Sequence, residues 1–422
     1  MEDTIFIEFF STEALENVMV LLKYKPKRIV YIGHKHDMIT RKIVSLKNFA
    51  EKMSPETILE FKEVPRDDFD AIVATINNLA DTYPEAEFEL SGGGEMILMA
   101  FGFVSATRPL RTLRIDPFTN VEIRINPDGK PTRTYTPIQL SVAENMILHG
   151  GALTPLTGSI STWRFTDEFR MAIRAIWKVS CSLKNRWTKY CSVIEECIKS
   201  NPPDSTGLYT LPRGALGESA ELFFRLNNIN MLNDYNVMKK TISFRFKNEM
   251  IRHVVTKTGN ILELHVYEVA TRSKTFTDAV IGAVVDWDGK TYTYDETGNI
   301  ALVNYSGSDR GYSYSSDAYY QSVDTINEID VILMRGVVPT FISCKSGRAN
   351  SNALHELQTI TRRFGGNYAK NALVMACPVD KNPSGTSFFK QRAKDMHIWV
   401  IDDVYNMSDE ALLSKLIRIQ GS

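Results

Sequence analysis

Two short runs decide how this chain is read: Asn327-Glu328-Ile329-Asp330-Val331-Ile332-Leu333 and, after a turn at Arg335-Gly336, Thr340-Phe341-Ile342-Ser343-Cys344-Lys345-Ser346-Gly347. In each, polar residues alternate with apolar ones, the period of a strand with two unlike faces. An antiparallel pair joined by so tight a turn brings Asp330 and Lys345 together on one face. Charged groups on apolar strands are costly to bury unless they are paired or bind a cation. The plain reading is a cross-strand ion pair. The chemical reading is a phosphodiester-cleaving centre, in which a carboxylate holds Mg²⁺ or Mn²⁺ and a lysine orients water or stabilises charge on the phosphate.

Working outward from these strands, periodicity predicts a helix over residues 259–270 and a strand over 280–287 before them. A helix over 353–364, a strand over 372–376, a helix over 388–395 and a strand over 398–401 follow. Residues 297–317, rich in Gly, Ser, Asp and Tyr, read as a surface loop or hairpin. Tyr312, Tyr314, Tyr319 and Tyr320 lie in or beside it, where they would serve either the hairpin surface or base stacking.

In order and type, residues 248–405 resemble the PD-(D/E)XK nuclease superfamily. The resemblance implies a restriction-endonuclease-like fold, with Asp330 and Lys345 in the centre. It adds Glu263 from the preceding helix and Gln358 from the following one. One departure stands out: Ser343 occupies the position, two before the lysine, where the family has Asp or Glu. Glu328, Glu263 or a metal-bound water is then left to complete a metal set of Asp330, Glu263 and Glu328. If none substitutes, the site is inactive.

The N-terminal part alternates strands and helices, which argues a parallel, Rossmann-like sheet. The strands fall near residues 4–10, 28–32, 88–90, 110–115 and 121–125, with helices over 12–22 and 72–79. Ser91-Gly92-Gly93-Gly94-Glu95 then leads into an apolar helix over residues 96–104. Such a loop either presents backbone N–H groups to an anion or simply lets the chain pack closely. It is neither a P-loop nor GxGxxG. Ser11-Thr12 is likewise either a ligand loop or a helix cap. His34-Lys35-His36 reads as a solvated loop or, alternatively, as a contact to a ligand or metal.

Both loops follow strands, where open α/β sheets bind ligands. Here the chain resembles the CRISPR-associated Rossmann fold (CARF) domains, with Gly94-Glu95 in place of their usual Thr-Lys pair. A CARF-like start (residues 1–153), a mixed helical connector (154–247) and a nuclease-like end (248–422) are similar to the CARF nucleases of type III CRISPR systems. That resemblance implies a homodimer sharing one cyclic oligoadenylate, most often cyclic tetra-adenylate, bound by Ser11, Thr12, Ser91, Gly92, Gly93, Gly94 and Glu95. It implies Mn²⁺- or Mg²⁺-dependent cleavage of DNA or RNA in antiviral defence. The alternative it leaves is a ligand-responsive, nucleic-acid-binding regulator with an inactive nuclease fold.

Bulk properties agree with an α/β multidomain protein. At 422 residues two or three domains are expected. A net charge of −1 confines any nucleic-acid site to local basic surface, to which Arg362, Arg363, Lys390, Arg392 and Lys394 could contribute. The five cysteines form no CxxC pair, so reduced thiols in a cytoplasmic protein are expected. No apolar run is long enough to cross a bilayer, and the acidic first residues do not read as a secretory signal.

Overall fold

The structure is a computed structural model that describes residues 4–126, 129–154, 160–257, 259–287, 290–294, 300–304, 326–379 and 388–421. The four tyrosines lie outside the described residues.

The N-terminal unit is built on β1 (Ile5–Phe9), α1 (Met19–Tyr24), β2 (Arg28–His34), α2 (Thr40–Met53), β3 (Ile58–Val64) and α3 (Phe69–Thr82). It continues through β4 (Glu87–Glu89), α4 (Glu95–Thr107), β5 (Arg111–Ile115), β6 (Val121–Ile125), β7 (Pro131–Tyr135) and α5 (Val142–Leu148). Its sheet runs β3-β2-β1-β4-β5-β6-β7, parallel as far as β5 and antiparallel beyond. The strand order reverses direction between β1 and β4, so the loops after these two strands flank a switch-point crevice. The helix expected over residues 12–22 is instead a 3₁₀ turn at Glu16–Val18 running into α1. The reason is local: Asn17 turns back to Ser11, with its side-chain oxygen accepting from the Ser11 N–H and its amide donating to the Ser11 carbonyl.

The middle region mixes helices and strands. It contains α6 (Asp167–Leu183), α7 (Asn185–Ser200), β9 (Tyr209–Pro212), α8 (Arg213–Leu216), α9 (Ala220–Asn228), β10 (Leu232–Val237) and β11 (Thr241–Phe246). Before them, β8 (Ala152–Leu153) pairs with a strand of the C-terminal sheet. The three middle strands form their own antiparallel sheet, ordered β10-β11-β9. Helix, strand, two helices and a hairpin folded back on the first strand make a winged-helix arrangement. Period-2 patterning is weak in β10, where exposed polar residues predominate, so this strand was hard to read.

The C-terminal unit comprises α10 (Glu249–Thr256), α11 (Asn260–Arg272), β12 (Asp278–Asp286), β13 (Lys290–Tyr294), β14 (Ile300–Asn304), β15 (Ile326–Arg335) and β16 (Val338–Lys345). It ends with α12 (Ser351–Gly365), β17 (Lys370–Met375), α13 (Phe388–Asp395), β18 (Trp399–Ile401) and α14 (Asp409–Gln420). Its mixed sheet runs β18-β17-β16-β15-β12-β8, while β13 and β14 pair antiparallel with each other; of the stretch 297–317, read as a loop or hairpin, only residues 300–304 are among the described residues.

Each face of this sheet is buried against a different neighbour. One face belongs to a core that continues into the middle region, with Ile342, Cys344 and Val374 and also Trp187, Leu211 and Phe244 among its buried members. The other shares a core with the N-terminal unit, where Ile332, Phe341 and Phe364 pack with Met19, Leu46 and Met146. The two ends of the chain are therefore joined by continuous apolar packing. Among the described residues no helix is long and apolar enough to cross a membrane.

Candidate functional site

The C-terminal centre lies in a fork. Strands β15 and β16 pair from Arg335↔Val338 to Val331↔Ile342, and the ladder goes no further. Asp330 fills the opening: its Oδ2 accepts the backbone N–H of Cys344 at 2.5 Å and the Ser343 hydroxyl at 3.2 Å. Ser343, which stands where a carboxylate was expected, is thus a hydrogen-bond partner of the aspartate. On the other side, Gly282 sits opposite Asp330 with φ +56°, a conformation glycine adopts without a Cβ penalty. The strands turn over there. Ile281 and Val331 belong to one core, whereas Ala283 and Ile329 belong to the other. Simple alternation had put Ile329 and Val331 on the same face; the bend at Gly282 separates them and leaves Asp330 at the crossover.

Glu263, in the first turn of α11, joins this group. Burial, then the charges of Asp330 and Glu328, push its carboxyl up to about 8, against a downward pull from Lys345. Burial also raises Asp330, while the Cys344 N–H, Lys345 and Ser343 hold that rise in check. The Cys344 thiol is driven far up by burial and by the neighbouring Asp330 and Glu263, so it is inert as a nucleophile. Glu328 is exposed at the rim. Asp330, Glu263, Glu328 and Lys345 therefore act on one another electrostatically, as the sequence pairing suggested. The Gln358 amide is engaged elsewhere, donating to the Met396 carbonyl at 3.3 Å.

These are hard oxygen donors of the kind Mg²⁺ and Mn²⁺ take. Among the described residues no three His, Cys, Asp or Glu side chains are already gathered to hold an ion. The fit is nevertheless chemical: a carboxyl held protonated to about pH 8 by burial and by two neighbouring carboxylates is one whose proton a cation would expel.

At the other end, the β1 and β4 loops meet closely. A Cβ on Gly92 would lie 2.6 Å from the Phe9 carbonyl oxygen and 2.8 Å from the Ser11 Cβ. Gly93 has φ +103° and equally little room beside Phe9. The glycines therefore serve close packing of the two loops, and only Gly94 opens α4 as its N-cap. Ser11 is buried, its hydroxyl accepting the Glu13 N–H at 3.0 Å, while Thr12 is exposed. The Ser91 hydroxyl is bound to Glu89 and accepts the Ile115 N–H at 3.1 Å. Glu95 is exposed at the start of α4, where an acid suits the helix dipole.

His34 departs from the sequence reading. It is the last residue of β2, only 5% exposed, and its ring lies 3.3 Å from where a Gly94 Cβ would be. The detectable signal was its position at the carboxyl end of a central strand, next to the switch point. His36 stacks on it at 5.7 Å.

Below the crevice, Glu8 and Glu89 are register partners on β1 and β4 and both are buried. Burial pushes Glu89 up to about 7, and burial together with the charge of Glu89 drives Glu8 well up. Carboxyls raised in the folded state contribute stability that is full below their unfolded value and is lost as pH rises through the folded one. Glu8→Gln should therefore raise the melting temperature at pH 8 by about 1–3 °C and leave it nearly unchanged at pH 4. Thermal unfolding at the two pH values checks this; equal shifts at both would contradict it.

No family model matches the chain, and no curated protein is significantly similar to it in sequence. Its fold is that of a CARF-type Rossmann unit joined through a winged-helix region to a restriction-endonuclease-like unit. Two solved structures share it over their whole length. Protein VC1899 from Vibrio cholerae superposes with a TM-score of 0.69 at 16% identity, covering 100% of this chain and 98% of that one. Can2 from Sulfobacillus thermosulfidooxidans, solved in complex with cyclic tetra-adenylate, gives a TM-score of 0.65 at 16% identity, with the same coverage. At this identity the likeness is one of fold.

Proposed function

We propose that this chain is a Mg²⁺- or Mn²⁺-dependent endonuclease, switched on by a cyclic oligoadenylate and acting on DNA or RNA in type III CRISPR defence. The observation that carries the reading is the fork at Asp330, with Glu263 and Lys345 acting on it. Asp330 and Glu263 would hold the cation, with Glu328 at the rim. When bound, the cation would neutralise the scissile phosphate and acidify the attacking water. Asp330 is positioned for this by the Cys344 N–H, and both of its hydrogen bonds fall on Oδ2, leaving Oδ1 for the ligand role. Lys345 would stabilise charge on the phosphate. Gln358 would line the site from α12 only if it left Met396.

The activator would bind where the β1 and β4 loops meet, over Thr12, Gly93, Gly94 and Glu95. The complex of Can2, which has this fold, with cyclic tetra-adenylate supports that ligand. A homodimer is supported by α4, whose Leu98, Met99 and Phe103 are 37%, 57% and 59% exposed. A helix apolar on all sides calls for a partner on its outer face. Such a dimer would place two copies of the crevice around one ring. Cleavage of plasmid and of single-stranded DNA and RNA, with and without cyclic tetra-adenylate and Mn²⁺, tests the function. Cleavage that ignores the ring would overturn the switch.

Glu95 lies where an anion would sit, so Glu95→Lys should tighten ring binding roughly three- to tenfold at low salt, the scale of one contact between exposed charges. Titration calorimetry at two ionic strengths reads this, and unchanged or weaker binding would remove Glu95 from the site.

One observation favours a second reading. Ser343 spends its hydroxyl on Asp330 in place of a second carboxylate, as a binding protein without cleavage activity would allow. Tight ring binding with no cleavage under any divalent cation would select it.

A further inference from the structure

A cavity of about 270 Å³ lies at the junction of the N-terminal and C-terminal units, sharing only Thr12 at its edge with the proposed ring site. Its charged lining comes from two elements. Arg41 and Lys42 stand in the first turn of α2, and Arg362 and Arg363 in the last turn of α12. The acid on its wall, Glu13, is already committed: its two oxygens accept the Asn367 N–H at 2.9 Å and the Asn367 side-chain amide at 2.7 Å. Arg41, Lys42 and Arg362 form no ion pair among the described residues.

Two features make this arrangement a site for an anion. Cations at a helix N-terminus oppose the helix dipole, and α2 has no side-chain cap for its free N–H groups. Arg363 is pulled down to about 10 by burial and by the charge of Arg41, so the cluster is self-repelling as it stands. Its two terminal nitrogens are held by the carbonyls of His149, Gly150 and Trp287, so Arg363 lends the cavity wall its charge and is not itself a free donor. Part of the remaining lining is apolar, from Phe10, Ala14, Ile39, Leu46 and Leu148, beside the polar Thr12, Asn17, Ser45 and His149. An inorganic ion would leave that surface unused.

We propose that this cavity binds a small organic phosphate monoester, its phosphoryl group bridging the Arg41–Lys42 pair and Arg362, with the charge of Arg363 behind them, and its organic part resting on the apolar wall. Arginines and a helix N-terminus together match the geometry of phosphate oxygens. The volume lies just under the usual range for ligand pockets, roughly 300–1,000 Å³, which fits a mononucleotide-sized ligand and excludes a tetra-nucleotide ring. The ligand would tie the two units together, because each supplies one pair of cations. The inference does not depend on the function proposed above.

The test is titration calorimetry on the full chain with adenosine 5′-monophosphate, inorganic phosphate and sulfate. It is repeated on the Arg41→Glu/Arg362→Glu variant, whose two changed residues are exposed. Saturable binding of the nucleotide is expected, about tenfold or more tighter than that of phosphate, and at least roughly thirtyfold weaker in the variant. The variant should bind cyclic tetra-adenylate as the parent chain does. Absence of saturable nucleotide binding, binding unchanged in the variant, or sulfate binding as tightly as the nucleotide would each overturn the proposal. Loss of ring binding in the parent chain would instead count against the proposed activator.

Discussion

Asp330→Asn should abolish cleavage, lowering the rate by at least roughly a thousandfold, the scale of removing one group that stabilises developing charge in the transition state. Asparagine is the informative replacement. Its carboxamide oxygen can still accept the Cys344 N–H at the mouth of the fork, so the strands keep their geometry while the charge is lost. Alanine would also orphan that buried N–H, at a cost of about 1–3 kcal/mol, and would mix a folding defect with a chemical one. Binding of cyclic tetra-adenylate should be unaffected. Single-turnover cleavage beside ring-binding calorimetry separates the two, and an Asn variant that cleaves at the parental rate would remove Asp330 from the centre.

The second large effect concerns Glu263 and has a definite sign in pH. Its carboxyl titrates near pH 8 in the folded chain because burial and the charges of Asp330 and Glu328 oppose ionisation. A raised carboxyl contributes stability that is complete below its unfolded value and disappears as pH climbs through the folded one. Without divalent cations, the parent chain should therefore lose stability relative to Glu263→Gln between about pH 4.5 and 8, by about 2–4 kcal/mol in all. A cation reverses the balance, since it favours the ionised carboxylate and expels the proton. Mn²⁺ should thus stabilise the parent chain more at pH 8 than at pH 6, with measurable proton release, and should do neither in Glu263→Gln. Thermal unfolding across pH and calorimetry in two buffers of different ionisation enthalpy report this. Equal Mn²⁺ effects in both proteins would show that Glu263 is not a ligand.

Both effects start from residues visible in the sequence, yet their physical basis is tertiary. Asp330 and Lys345 were legible because strand alternation and a tight turn are local, and local periodicity survives folding. The order of elements around them was legible for the same reason, as was the strand–helix alternation of the N-terminal unit. What could not be read was the turning over of β12 and β15. Gly282 looks ordinary until its partner across the ladder is known to be Asp330. The role of Ser343 was equally hidden, since only the splaying of β15 from β16 frees the Cys344 N–H and brings the serine to the carboxylate.

The N-terminal loops show the same division. Their place after β1 and β4 follows from the chain's own pattern, but the strand order that makes them neighbours is a property of the whole sheet. His34, read as solvated, is buried because β2 lies beside β1 and the Gly94 turn covers it. The cationic cavity draws on residues more than three hundred positions apart, Arg41 and Arg362, which no periodicity relates. By itself the sequence determined the strands and helices with clear periodicity and where charge sits on apolar faces, because those depend on spacings of two to four residues. Only the tertiary structure decided which carboxylates share a field, which serine holds the aspartate and which arginines meet across the junction. Those facts depend on burial and on distances between segments that the chain brings together only by folding.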